Sequence, residues 1–134
     1  MHEAGAFLLG IRSGGVAEVR AVVFYDELDP QAYDSGVCVL YSDAFSRLWS
    51  KCRDAGLTVV ADVHTHPRRA VQSSTDRTNP MIAQTGHIAI IVPNFAANPV
   101  SHLDLGVYEY LGGHEWRDWS GKQASTYFHV GFWS

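Results

Sequence analysis

The stretch that most constrains this chain is an apolar, β-branched run followed directly by two histidines and a proline. Residues 57–63 read LTVVADV and predict a buried strand. Pro67 must end that strand, because proline has no N–H to donate to a ladder. Side chains at i and i+2 of a strand point to the same face, so His64 and His66 can converge on one point. The segment therefore predicts a strand that brings two imidazoles to one side of a sheet.

A third candidate ligand follows a short loop, in the sequence Ser73-Ser74-Thr75-Asp76. From a helix that begins at Ser73, Asp76 can face back toward His64 and His66. Two imidazoles and one carboxylate leave one position of a tetrahedral zinc ion open for water, as in a catalytic site. The same residues also form a capping box, with Ser73 as N-cap and Asp76 reaching back to it. One strand–loop–helix unit holds all three ligands, which favours the metal site, but both interpretations of Asp76 remain open.

Composition and charge define the broad class of protein. The chain has 134 residues, 46% hydrophobic and 18% charged, which predicts one folded domain spanning residues 1–134. A net charge of −4 without a basic stripe argues against nucleic-acid binding. We find no signal peptide and no apolar run long enough to cross a membrane, so we expect no membrane association. Cys38 and Cys52 lack ligand spacing and suggest reduced thiols in a cytoplasmic protein.

The remaining elements predict a mixed α+β (α/β) fold with a central mixed β-sheet flanked by helices. Besides 57–63, we expect strands at 6–11, 16–25, 37–41, 87–92, 103–111, 114–119 and 126–133. Gly14-Gly15 and Gly112-Gly113 predict hairpin turns. Residues 26–35 carry acidic residues and a proline and predict an exposed loop.

Two helices are expected between these strands. Ser42 caps the first, which ends at Gly56 and carries an apolar stripe of Phe45, Leu48, Trp49 and Cys52. The second begins at Ser73 and must be short, because Pro80 would break a longer helix. The stripe of the first helix predicts packing against the sheet and gives no sign of a cofactor site.

Two further polar residues fall in predicted strands. His87 lies at the start of an apolar strand and is interpreted as a core histidine rather than a ligand. Asp62 shares the strand face of His64, where it could orient a histidine, form a salt bridge or face solvent.

The motif HTHP followed by Ser73-x-x-Asp76 resembles the signature of the JAB/MPN (JAMM) metalloprotease family. That family also has a glutamate far upstream, just before a strand, and this chain has Glu3-Ala4-Gly5-Ala6-Phe7-Leu8-Leu9-Gly10. The segments 87–93 and 106–110 further resemble its prokaryotic JAB branch. The resemblance covers most of the chain and implies the JAB/MPN-like, cytidine deaminase-like core.

The resemblance also implies a role for each matching residue. His64, His66 and Asp76 would bind one Zn²⁺ ion per chain, with water as the fourth ligand. Glu3 would be the general base that takes a proton from that water and later gives one to the leaving amine. Ser73 would donate a hydrogen bond to the oxyanion of the tetrahedral intermediate.

A substrate class follows from the same resemblance. Relatives cleave after the extended C-terminal tail of ubiquitin-like modifiers, so we expect a zinc-dependent isopeptidase or peptidase with a ubiquitin-like protein as substrate. Enzymes resembling the eukaryotic activating (E1-like) and conjugating (E2-like) enzymes are the expected partners. The alternatives are a peptidase that trims a sulfur-carrier protein to expose its Gly-Gly terminus, and a non-catalytic MPN scaffold. Scaffolds usually lose ligands, whereas this chain retains all of them.

The chain departs from the family pattern at two places. The loop between Pro67 and Ser73 holds five residues, where many relatives have six, which would reshape the substrate rim. Relatives usually have a helix before the glutamate, whereas only Met1 and His2 precede Glu3 here. Because chain ends fray, we expect Glu3 to need support from a longer, untrimmed chain or from a partner.

Overall fold

The computed structural model describes residues 2–126 and divides into two compact units, one up to His64 and one from Thr65 onward. Its strands are β1 (Gly5–Ser13), β2 (Val16–Phe24), β3 (Thr58–Thr65), β4 (Ile88–Val92), β5 (Gly106–Gly112) and β6 (Glu115–Asp118). Its α-helices are α1 (Tyr25–Leu28), α2 (Ser42–Ala55) and α3 (Ser74–Thr78). The strands form one sheet in the order β2-β1-β3-β4-β5-β6. The expected mixed α+β fold is confirmed; the single domain stays a prediction.

The first unit begins with the predicted hairpin of β1 and β2. The strands pair antiparallel, with Ala6 opposite Phe24. Gly14 and Gly15 both have positive φ, at 58° and 79°, as a two-residue hairpin turn requires and glycine readily allows. β1 also pairs antiparallel with β3, with Gly5 opposite His64. Glu3 therefore lies two residues ahead of the position that pairs with a candidate ligand.

The core of the first unit forms where α1 and α2 cover one face of the hairpin. Phe7 is fully buried, and its ring lies 4.9 Å from Tyr25 and 6.0 Å from Phe45 of α2. Leu48 is buried and Phe45 half-buried, whereas Trp49 is 41% exposed and lies at the margin of the predicted stripe. α2 ends at Gly56 with φ of 67°, so the predicted C-cap is confirmed.

The segment between β2 and α2 differs from its prediction. The expected exposed loop begins with the short helix α1, and Leu28 and Ala32 are buried. No strand forms at 37–41, because the N–H of Val39 donates to Ala32 within the loop and not to a strand ladder. The β-branched residues there gave a strand signal without a neighbouring strand to pair with. Ser42 is the first residue of α2 rather than its cap, a position that Tyr41 occupies without a side-chain bond.

The second unit contains α3 and the antiparallel strands β4, β5 and β6. Ile90 lies opposite Val107, and Tyr110 lies opposite Trp116. The expected strand at 103–111 begins later, because residues His102–Asp104 form a 3₁₀ helix. A further 3₁₀ helix is Gly121–Thr126, and Asn94–Ala96 form a short turn with 3₁₀-type hydrogen bonds but left-handed backbone angles. The strand predicted at 126–133 lies outside the described residues beyond position 126.

The helices of the described residues are short. The longest, α2, has 14 residues. In residues 2–126, no helix combines the length and apolar character needed to cross a membrane.

Candidate metal centre

The two histidines lie where β3 ends. The strand was predicted to continue to Pro67 but ends at Thr65, so His64 belongs to it. His66 lies just beyond the strand, ahead of Pro67. Its N–H donates to Val92 O at 2.9 Å, and its carbonyl accepts from the N–H of Phe95 at 2.8 Å. The backbone of His66 is thus held on both its donor and its acceptor side.

A left-handed turn after β4 supplies one of these bonds. Asn94, Phe95 and Ala96 have φ of 55°, 51° and 58°, which costs a non-glycine residue on the order of 1 to 2 kcal/mol. Besides the bond from Phe95 to His66, the turn donates the N–H of Asn94 to Arg68 O at 3.0 Å. Strained backbone of this kind concentrates at functional sites, where surrounding contacts maintain it.

The carboxylate ligand candidate lies on the predicted capping box. Ser73 is the N-cap of α3, and its Oγ accepts from the N–H of Asp76 at 3.1 Å. In return, Asp76 Oδ2 accepts from the N–H of Ser73 at 2.8 Å. This reciprocal pair sets the direction of the Asp76 carboxylate before any ligand is considered.

Helix α3 depends on contacts outside itself. It has five residues, none of them buried, and an isolated helix of this length is unstable in water. At its N-terminal end, the N–H of Gln72 donates to the Tyr108 hydroxyl at 3.4 Å. At its other end, Trp116 Nε1 donates to Arg77 O at 3.0 Å. Side chains of β5 and β6 therefore help to position the helix that carries Asp76.

These elements bring the three predicted ligands together. The donor atoms of His64, His66 and Asp76 all lie within 4.8 Å of one another. His66 Nε2 lies 3.2 Å from Asp76 Oδ2. His66 is buried, and the other two are half-buried. Asp76 is thus both a capping residue and a member of a cluster that could hold a metal ion, so its two interpretations are compatible.

The backbone around Glu3 bonds to the loop before α2. Glu3 is half-buried, and its N–H donates to Gly36 O at 3.2 Å. Two residues later, Gly5 exchanges hydrogen bonds with the Tyr33 hydroxyl. The loop before α2 therefore contacts the backbone on both sides of Ala4, and the support of Glu3 by a longer chain or a partner stays a prediction.

The two other polar residues that were predicted to lie in strands are buried. Asp62 and His87 are each 3% exposed. The burial of His87 agrees with its interpretation as a core histidine. Burial excludes the interpretation in which Asp62 faces solvent. Asp62 lies on β3 two residues before His64, on the same face of the strand.

Sequence reasoning missed three residues that support the site: Tyr33, Tyr108 and Trp116. Their bonds reach 28, 36 and 39 residues along the chain, to Gly5, Gln72 and Arg77. No local periodicity or spacing marks an aromatic side chain for a contact at such separations.

Comparisons with known proteins find similar sequences. Residues 1–105 match the family described as prokaryotic homologs of the JAB domain. A probable metalloprotease from Sinorhizobium fredii is 28% identical over 118 residues, covering 87% of this chain and 72% of that protein.

Two solution structures share the fold. A Desulfitobacterium hafniense protein has a TM-score of 0.60 at 17% identity, covering 96% of this chain and 86% of its own. A Salinibacter ruber protein has a TM-score of 0.56 at 22% identity, with coverages of 87% and 74%. The family match extends over most of the chain and includes every candidate site residue, and the chain therefore belongs to the prokaryotic JAB family.

Proposed function

We propose that this chain is a zinc-dependent peptidase of the JAMM type that cleaves after the C-terminal tail of a ubiquitin-like modifier. The observation that carries the proposal is the cluster of His64, His66 and Asp76, whose donor atoms lie within 4.8 Å of one another. Membership of the prokaryotic JAB family and similarity to a probable metalloprotease support a peptidase of this general type.

The donor types of the cluster and one of its distances are compatible with zinc. Zinc holds nitrogen and oxygen ligands at about 2.0 to 2.2 Å in tetrahedral geometry, so two of its ligand atoms lie roughly 3.3 Å apart. His66 Nε2 and Asp76 Oδ2 are 3.2 Å apart. Three protein ligands also leave one position open, as catalytic zinc sites do.

When bound, zinc would polarise the substrate carbonyl and lower the pKa of water beside it to about 7. Glu3 would accept the proton of the attacking water and return one to the leaving amine. Ser73 Oγ already accepts the N–H of Asp76, and its own O–H is the group that would donate to the developing oxyanion. The capping box would then hold the oxyanion donor, Ser73, beside a metal ligand, Asp76.

The substrate class rests on the family resemblance and on the physics of extended peptides. An extended tail can be held through its backbone N–H and C=O groups, with side-chain pockets adding selectivity. Ubiquitin-like proteins end in such tails, and E1-like and E2-like enzymes would be the accompanying partners. We propose a cytoplasmic location, in keeping with two cysteines that form no disulfide.

The test compares the wild type with Glu3→Gln at saturating zinc. The substrate is a ubiquitin-like protein fused through its Gly-Gly tail to a reporter, offered with both a peptide and an isopeptide linkage. Glutamine is nearly isosteric but cannot take the proton, so kcat should fall by about 10²- to 10⁴-fold while zinc content is retained. Glu27→Gln, on the exposed surface of α1, is the matched control and should leave kcat unchanged.

Each other outcome contradicts a defined part of the proposal. Equal cleavage by the wild type and Glu3→Gln would overturn the assignment of the general base. Cleavage of a sulfur-carrier fusion, with the ubiquitin-like fusions intact, would replace the proposed substrate. Absence of all cleavage in zinc-loaded protein would favour a scaffold.

A further inference from the structure

The hydroxyl of Tyr33 bonds to both backbone groups of one residue at the start of β1. It donates to Gly5 O at 3.0 Å and accepts from the N–H of Gly5 at 3.2 Å. The ring of Tyr33 also stacks on that of His2, with centroids 5.0 Å apart and planes inclined by 23°. One side chain therefore contacts the terminal segment on both sides of Glu3.

The need for this contact follows from the sheet. β2 ends at Phe24, which pairs with Ala6, so no residue of β2 continues the ladder alongside Gly5. A buried or half-buried strand end with unpaired backbone groups is costly. The Tyr33 hydroxyl, which can donate and accept at once, takes the place of the missing ladder partner.

The loop that carries Tyr33 is suited to act as a support. Its turns are closed by backbone bonds from Ala32 to Asp29 and from Gly36 to Tyr33. Ala32 is fully buried, which anchors the loop in the core of the first unit. The same loop accepts the N–H of Glu3 at Gly36 O, at 3.2 Å.

We propose that Tyr33 is a positioning residue for Glu3. Its hydroxyl fixes Gly5, the Gly36 carbonyl fixes the backbone of Glu3, and together they hold the glutamate in one direction at the end of β1. This inference rests on the proposed function, in which Glu3 is the general base. A base that is displaced by about 1 Å can lose on the order of 10²-fold in rate.

The variant Tyr33→Phe retains the ring and its stacking on His2 but removes the hydroxyl. We expect kcat to fall by roughly 10- to 100-fold, with KM and zinc affinity unchanged. Tyr41→Phe is the matched control, because Tyr41 is 70% exposed, and it should leave kcat unchanged. A rise in KM with constant kcat would overturn the proposal, since it would place Tyr33 in substrate binding.

Two further measurements separate positioning from a general loss of structure. In a Glu3→Gln background, Tyr33→Phe should cause no additional loss of kcat, because it acts through Glu3. A full additional loss would overturn the proposal. Amide hydrogen exchange at Gly5 and Glu3 should become faster in Tyr33→Phe, while exchange in α2 stays the same.

The exchange measurement does not depend on activity. Unchanged exchange at Gly5 and Glu3 would overturn the proposal that Tyr33 holds this segment, whatever the kinetics show. If the zinc-loaded wild type cleaves none of the fusions, the proposed function fails, and exchange alone then decides whether Tyr33 holds the segment.

Discussion

Asp76 Oδ2 lies 3.2 Å from His66 Nε2 and, at the same time, 2.8 Å from the backbone nitrogen of Ser73. One carboxylate oxygen therefore takes part in a helix cap and in a candidate metal cluster. The cap orients the carboxylate through a residue that is close in the sequence, because Ser73 and Asp76 are three residues apart. Preorganisation of this kind lowers the cost of assembling a metal site.

Replacing Asp76 by asparagine separates these two roles. The amide oxygen of Asp76→Asn can still accept the N–H of Ser73, but the ligand charge is lost. We expect zinc affinity to fall by more than about 100-fold. Even mutation of a residue that only hydrogen-bonds to a metal ligand typically lowers metal affinity by about 10- to 100-fold. A chelator competition titration measures this loss, and His64→Ala and His66→Ala should give losses of the same kind.

The matched control for Asp76 is Asp104→Asn. Asp104 closes a similar capping box with Ser101, where its Oδ2 accepts the N–H of Ser101 at 2.9 Å, but it belongs to no ligand cluster in residues 2–126. Wild-type zinc affinity in Asp76→Asn would remove Asp76 from the ligand set and leave it as a cap only.

Ser73→Ala tests the hydroxyl that caps α3. Loss of the cap should reduce the free energy of unfolding by about 1 kcal/mol. Loss of an oxyanion donor should lower kcat by about 10²- to 10³-fold. Ser101→Ala removes a capping hydroxyl elsewhere and should destabilise without affecting kcat. If both variants lose stability and neither loses activity, Ser73 has no catalytic role.

Gly106→Ala tests how closely the loop before α3 lies against β5. A Cβ atom at this position would come within 2.1 Å of Ala70 O, so the loop backbone must move. We expect a loss of about 1 to 3 kcal/mol in stability together with weaker zinc binding.

The matched control is Gly10→Ala, on β1. Its Cβ would meet Glu18 O at 1.9 Å, so it is comparably crowded but lies in the hairpin of the first unit. Thermal unfolding should show a similar loss, and zinc titration should show wild-type affinity. Equal zinc affinity in both alanine variants would mean that the loop tolerates the displacement.

Alkaline pH should destabilise the protein through two tyrosines. Burial raises the pKa of Tyr33 and of Tyr108 above the ordinary value of 10.0. The folded state then retains these protons at a pH where the unfolded chain has lost them. The resulting stability is complete below pH 10.0 and is lost as pH rises through the folded-state values.

Urea unfolding between about pH 8 and pH 11 measures this effect. The free energy of unfolding should fall with rising pH in the wild type, and less steeply in Tyr33→Phe and in Tyr108→Phe. A steeper fall in either variant, or slopes equal to that of the wild type, would contradict the assignment.

Much of the fold could be predicted because it follows from local patterns. The hairpin at Gly14-Gly15, the C-cap at Gly56 and the strand before His64 depend on residues close together in the chain. The strand predicted at 37–41 does not form, because a strand needs a partner as well as a suitable local sequence. Strand formation depends on a partner ladder, and Val39 bonds instead to Ala32.

The order of the candidate ligands could be predicted from the sequence, because His-x-His on a strand and Ser-x-x-Asp at a helix start are local geometries. The residues that support these ligands became evident from the fold. The bonds from Tyr33 to Gly5, from Gln72 to Tyr108 and from Trp116 to Arg77 join residues 28 to 39 positions apart. Such contacts arise from how the elements pack, since a tyrosine or tryptophan in the sequence carries no mark of the backbone group that it will meet.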